Sequence, residues 1–153
     1  MKLTQKETFN DKDQLHSLND EPALICNNGD MYWYKNDYIH RENDLPGFVG
    51  SNGTKCWYKN GLCHREDDKP AIVYNDGSKY WYKDGRCHRD NGKPAFISST
   101  GFEHWYIKGN ELNFKQIKLL RKIIKSDIKH LPWLLNEDSL LNCVIENRMN
   151  QDN

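Results

Sequence analysis

Short runs of aromatic and β-branched residues, separated by turn residues, fill the first two thirds of this chain. Ala71-Ile72-Val73-Tyr74 and Lys79-Tyr80-Trp81-Tyr82-Lys83 are such runs, and their composition predicts strands. Asn60-Gly61 and Asp84-Gly85 lie between paired runs. A type I′ turn needs positive φ at both central residues, so these dipeptides predict tight hairpins. Asn36-Asp37 and Lys108-Gly109 occupy the same slot. Asn75-Asp76-Gly77-Ser78 and its equivalents predict a second turn. Asp67-Asp68-Lys69-Pro70 reads as a bend, with the proline at a strand start because it lacks a ladder donor. Beyond Gly109 the period changes. Phe114, Ile117, Leu120, Ile124 and Ile128 recur at helical spacing, and Asn113 is placed to cap that helix. Pro132 interrupts the pattern, and a second helix is expected after Asn136, carrying Leu140, Leu141, Val144 and Ile145.

Shifted by 24 residues, the chain falls on itself. Trp33, Trp57, Trp81 and Trp105 form one register, and Gly29, Gly53, Gly77 and Gly101 another. His16, His40, His64 and His88 form a third, and Pro22, Pro46, Pro70 and Pro94 a fourth. A fixed period of this length means a repeat architecture. The expected fold is mostly β: an antiparallel meander of hairpin repeats forming an elongated twisted sheet, capped by a C-terminal helical segment. Residues 1–14 are a polar lead-in with one edge strand around 6–9. Residues 15–112 are the repeats, beginning with a half-unit at 15–23, and residues 113–153 are the cap. Leu112 stands where a fifth histidine would be. A repeat array needs something to cover its last unpaired surface.

A two-residue turn at Asn60-Gly61 pairs Lys59 with Leu62, Tyr58 with Cys63 and Trp57 with His64. Alternation then puts Trp57 and His64 on one face and Tyr58, Cys63 and Arg65 on the other. With an even register at the second turn, Ile72 joins the Trp face, as do Leu24, Phe48 and Phe96. The second face would be the more open one. It carries Tyr34, Tyr58, Tyr82, Arg41, Arg65 and Arg89, and Tyr and Arg anchor protein interfaces. These six are the candidate binding residues.

Composition narrows the function. Lysine plus arginine equal aspartate plus glutamate at 22 each, so no cationic excess is available for a nucleic-acid backbone. Mean hydropathy is −0.95, and no apolar run is long enough to span a membrane. The five cysteines, with no apolar signal core at the N-terminus, point to a reducing cytoplasm.

The Cys63-His64 and Cys87-His88 pairs suggest zinc, but adjacent strand residues point to opposite faces and no CxxC spacing exists. Ile39 and Leu15 fill the same slot as packing residues. Cys63 and Cys87, about 9–10 Å apart if each unit adds two strands, are too distant for a disulfide. The histidines are copied with the tryptophans, which reads as architecture rather than one catalytic constellation. No catalytic residue, cofactor or metal is assigned. Lys115, Lys118, Arg121, Lys122, Lys125 and Lys129 make the first helix basic, the solvated side of a cap or a site for RNA or an anionic membrane.

The units Trp-Tyr-Lys-Asn-Gly-x-x-His-Arg-Glu-Asp and Lys-Pro-Ala resemble MORN-like repeat proteins of the WYxNG…HRxDGPA type, frequent in phages, giant viruses and some bacteria. The likeness covers residues 15–112. Two features depart from it: the first full unit has Leu45-Pro46-Gly47 for Gly-Pro-Ala and Asn36-Asp37 for Asn-Gly, and the helical tail lies outside the repeat. The resemblance implies a binding scaffold without catalytic residues. It leads to the expectation of a non-enzymatic, phage-encoded inhibitor that docks on a host defence protein, of the anti-CRISPR type. The alternatives are an antitoxin, or an RNA- or membrane-associated scaffold using helix 113–129.

Overall fold

The computed structural model describes residues 4–125. The helix expected after Asn136 lies outside them. Nine strands form one antiparallel sheet: β1 (Thr4–Glu7), β2 (Leu24–Cys26), β3 (Met31–Tyr32), β6 (Phe48–Val49), β7 (Lys55–Cys56), β10 (Ile72–Val73), β11 (Lys79–Tyr80), β14 (Phe96–Ile97) and β15 (Glu103–His104). They neighbour one another in that order. Four two-stranded hairpins alternate with them: β4 (Tyr34–Lys35) with β5 (Tyr38–Ile39), β8 (Tyr58–Lys59) with β9 (Leu62–Cys63), β12 (Tyr82–Lys83) with β13 (Arg86–Cys87), and β16 (Tyr106–Ile107) with β17 (Asn110–Glu111). Each repeat thus contributes two sheet strands and one hairpin. The meander of hairpins expected from the periodicity is present, with one helix, α1 (Phe114–Lys125), at its end. Among the described residues no helix is long and apolar enough to cross a membrane.

The hairpin register is the one the two-residue turn requires. Tyr58 pairs with Cys63 and Lys59 with Leu62. Asn60 and Gly61 have φ of 50° and 82°, and the Asn36-Asp37, Asp84-Gly85 and Lys108-Gly109 turns repeat this geometry. The His64 N–H donates to the Trp57 carbonyl at 3.1 Å, closing the pair beneath them.

The second turn corrects the expected faces. Ile72 pairs with Tyr80 and Val73 with Lys79, so five residues separate the strands and the register is odd. The Gly77 N–H donates to the Tyr74 carbonyl, and Gly77 sits at φ 89°. This is a turn followed by one left-handed glycine, which adds the odd residue to the loop. Ile72 therefore shares a face with Tyr80, not with Trp81. Cross-strand pairing carries that face through Leu24, Tyr32, Phe48, Cys56, Ile72, Tyr80, Phe96 and His104. The opposite face carries Ile25, Met31, Val49, Lys55, Val73, Lys79, Ile97 and Glu103.

The lead-in is more ordered than its composition predicts. β1 pairs with β2 through an irregular step between Thr4 and Lys6, and Phe9 bridges to Leu15. At the other end, Asn113 Oδ1 accepts from the Gln116 N–H at 3.1 Å, and Gln116 Oε1 accepts from the Asn113 N–H at 3.0 Å. This reciprocal capping box starts α1 at the expected residue. Leu120 and Ile123 are the largest fully buried side chains of the described chain. They turn one face of α1 inward.

Candidate functional site

The repeated polar residues build the seams between units. Each of the four tryptophans in register donates its Nε1–H to a bend carbonyl of the preceding unit: Trp33 to Asp20, Trp57 to Asp44 and Trp81 to Asp68 at 2.8 Å, and Trp105 to Gly92 at 3.1 Å. The bend turns back on two consecutive left-handed residues, such as Asp67 and Asp68 at φ 60° and 54°. Aspartate and asparagine tolerate that conformation better than most.

The arginine expectation is corrected here. Arg41, Arg65 and Arg89 lie on the tryptophan side, with each guanidinium 3.7–3.9 Å from its own indole centroid. Arg65 donates from Nε and Nη2 to the Asp44 carboxylate at 2.7 and 3.0 Å, and from Nη1 to the Pro70 carbonyl at 3.2 Å. Arg89 does the same with Asp68 and Pro94, and Arg41 with Asp20. Lys69 and Lys93 add to Asp44 and Asp68 at 2.9 and 2.6 Å. These carboxyls are consequently held down to about 2, first by the arginine hydrogen bonds and then by the lysines. An arginine stacked, forked and only about one seventh exposed (15% for Arg65) belongs to the frame rather than to an open surface.

The histidines form a second set of seams. His40 Nδ1 accepts the Asn60 N–H at 3.1 Å, and His64 Nδ1 accepts the Asp84 N–H at 3.0 Å. Both donors open the next unit's hairpin turn. The second N–H of that turn is taken by the previous hairpin: Gly61 donates to the Ile39 carbonyl and Gly85 to that of Cys63, each at 2.9 Å. His64 Nε2 approaches Glu66 Oε1 at 2.9 Å without hydrogen-bond alignment, and His88 Nε2 pairs with Asp90 Oδ1 at 3.0 Å. At His64 the Asp84 carboxylate also lies 3.0 Å from Nδ1, so an anion faces each ring nitrogen. Lys59 holds Glu66, and Lys83 holds Asp90, at 2.9 Å. In His40, His64 and His88 each ring nitrogen has a structural neighbour.

The array stops where its seam residues change. Gly92 takes the place of Asp20, Asp44 and Asp68. A Cβ there would stand 1.9 Å from Ile124 Cδ1 and 3.4 Å from Leu120 Cγ, so glycine lets α1 pack here without displacing the Ile124 side chain. Arg121 of α1 lies 5.1 Å from the Trp105 centroid, on the indole that no repeat arginine covers. Leu112, 4% exposed, stands in the position that the histidines hold in the repeats.

Tyr34, Tyr58 and Tyr82 are half-buried. Burial pushes the Tyr58 and Tyr82 phenols up to about 12, so they stay protonated. Tyr34 lies 6.4 Å from Tyr32 and Tyr82 lies 6.2 Å from Tyr80, centroid to centroid. They flank a row not anticipated from the sequence: Tyr32 against Phe48 at 4.7 Å and Tyr80 against Phe96 at 4.3 Å. The signal was the loop parity, which decides which side the large apolar residues take. Ring contacts thus join Tyr34 and Tyr82 to this row, whereas the arginines stack on the tryptophans.

Cys26, Cys56, Cys63 and Cys87 are free thiols. Burial pushes Cys63 and Cys87 up to about 12 and Cys56 to about 11, which makes poor nucleophiles and poor ligands. Among the described residues no group of three or more His, Cys, Asp or Glu could hold a metal. Comparison with family models, curated proteins and solved structures finds no match to this chain.

Proposed function

We propose that this protein is a non-enzymatic scaffold that binds another protein through its aromatic sheet face. One observation carries the reading. The repeated Trp, Arg, Asp and His are consumed in joining units, while Tyr32, Phe48, Tyr80 and Phe96 stay half-exposed beside Tyr34, Tyr58 and Tyr82. Large aromatic side chains lose few rotors on binding and contribute large contact areas. The narrower reading, a phage-encoded inhibitor of a host defence protein, rests on the likeness of the repeat units to phage repeat proteins; an antitoxin is its near alternative.

The test is affinity capture from host extract with the full chain and with a Tyr34→Ala, Tyr58→Ala, Tyr82→Ala variant. One stoichiometric protein, retained by the parent and lost from a variant with unchanged circular dichroism, is the expected result. Equal capture by both would remove the tyrosine face as the binding surface.

A second reading has its own observation. Phe114 is 81% exposed on α1, next to a groove lined by Ile117, Lys118, Arg121 and Lys125. Such a helix suits an anionic membrane surface or RNA. Sedimentation with phosphatidylserine vesicles, abolished by Phe114→Ser with Lys118→Gln, would favour it over the aromatic face.

A further inference from the structure

The cations at repeating positions are neutralised. Lys35, Lys59 and Lys83 pair with Glu42, Glu66 and Asp90, and the arginines and bend lysines pair with aspartates. Lys55 and Lys79 differ. Both are exposed near the middle of the nine-stranded sheet, and neither has an ion pair among the described residues. Both lie opposite Val73, one on each side. Val49 pairs with Lys55 and Ile97 with Lys79. Five adjacent strands therefore present Val49, Lys55, Val73, Lys79 and Ile97 in one row, on the face away from the aromatic row. The three aliphatic members are half-buried.

Directly paired residues project from the same face, and neighbouring strands lie about 4.8 Å apart. The two lysines are thus about 10 Å apart, with a valine halfway. An α-helix laid across the strands rises about 1.5 Å per residue, so seven residues span about 10.5 Å and return to the same side. A residue three or four positions on reaches about 5 Å, the place of Val73.

We propose that this row docks an acidic amphipathic helix of a protein partner, with carboxylates at i and i+7 on Lys55 and Lys79. An apolar residue at i+3 or i+4 rests on Val73, and apolar residues one turn beyond each end meet Val49 and Ile97. Nucleic acid fits less well: the row offers two cations and no aromatic ring, where a strand of phosphates needs many cations and stacking platforms. The inference rests on the scaffold reading and adds a second surface to it.

The experiment titrates the full chain into a fluorescein-labelled synthetic helix of about eighteen residues, long enough to span the row, carrying that Leu/Glu pattern. Two control peptides replace the glutamates by glutamine or set them five residues apart. Anisotropy is read at about 50 and about 300 mM salt. The patterned peptide is expected to bind, and binding to fall about tenfold or more in Lys55→Glu/Lys79→Glu, as for lost charge pairs at an interface. It is also expected to weaken with salt and to be unchanged in Lys12→Glu. Absence of binding, equal binding of the shifted peptide, or indifference to the charge reversal would overturn the proposal. Single-stranded RNA bound more tightly through the same lysines would also overturn it, in favour of nucleic acid. If the protein partner of the aromatic face is captured equally by parent and Lys55→Glu/Lys79→Glu while the peptide fails, the scaffold reading stands and this one falls.

Discussion

Arg65 shows how a residue type chosen for an interface can be spent inside the fold. Its guanidinium is stacked 3.7 Å from Trp57 and forked onto Asp44. Arg65→Ala is expected to lower stability by about 1–2 kcal/mol, most of it from the ring contact, because Asp44 is 42% exposed and solvent screens the pair. Urea denaturation measures it. The same aspartates set an acid limit. Asp44 and Asp68 titrate near 2 when folded and near 3.9 when unfolded. A depressed folded value means that their contribution is complete above about pH 4 and is lost as pH falls through about 2. The melting temperature is therefore expected to drop between pH 4 and 2, and less steeply in Asp68→Asn. The arginine–aspartate bond was legible only in hindsight. Asp20, Asp44 and Asp68 recur in step with Arg41, Arg65 and Arg89 at a separation of 21 residues, and both series end together at Gly92 and Asn113. A bond across a seam leaves that shared ending as its trace, whereas alternation along one strand suggests opposite faces.

The elements divide by how tightly their turns constrain them. A two-residue turn has one register, so the pairing of Trp57 with His64 followed from Asn60-Gly61 alone. The loop at Tyr74–Ser78 does not, because a left-handed glycine after a turn adds one residue and reverses every face beyond it. That parity error hid the aromatic row and misplaced Ile72. The histidine's reach into the next turn was likewise invisible to pattern, since periodicity shows what is copied and not what it touches. His64→Leu is expected to cost about 1–3 kcal/mol, because the Asp84 N–H loses its acceptor. Faster hydrogen exchange at the Asp84 and Gly85 amides would report it. At the cap, Gly92→Ala is expected to cost about 1–3 kcal/mol, through overpacking against Ile124 and left-handed strain at φ 61°. Protease cleavage within α1 should accelerate before the sheet signal changes.

The molecule as a whole is a stack of like units, and its stability should be nearly a sum over units and seams. Removing residues 57–80 joins Cys56 to Trp81 with the same neighbours that Cys56 has at Trp57, and restores every seam contact in shifted register. The shortened chain is expected to fold to the same β spectrum with a lower denaturation midpoint. A collapse to an unfolded spectrum would mean that the units are not interchangeable. The seam side chains also have a polarity. Across the seam, Trp57 Nε1, Arg65 Nε and Nη2, Lys69 Nζ and the N–H groups of Asn60 and Gly61 donate backwards, to Asp44, His40 and Ile39 of the unit before, while Arg65 Nη1 reaches forward to Pro70 in its own unit. Each acceptor across the seam is therefore already synthesised when its donor leaves the ribosome. Assembly can follow translation like bricks laid on a finished course, with α1 set on the last repeat once that repeat is complete.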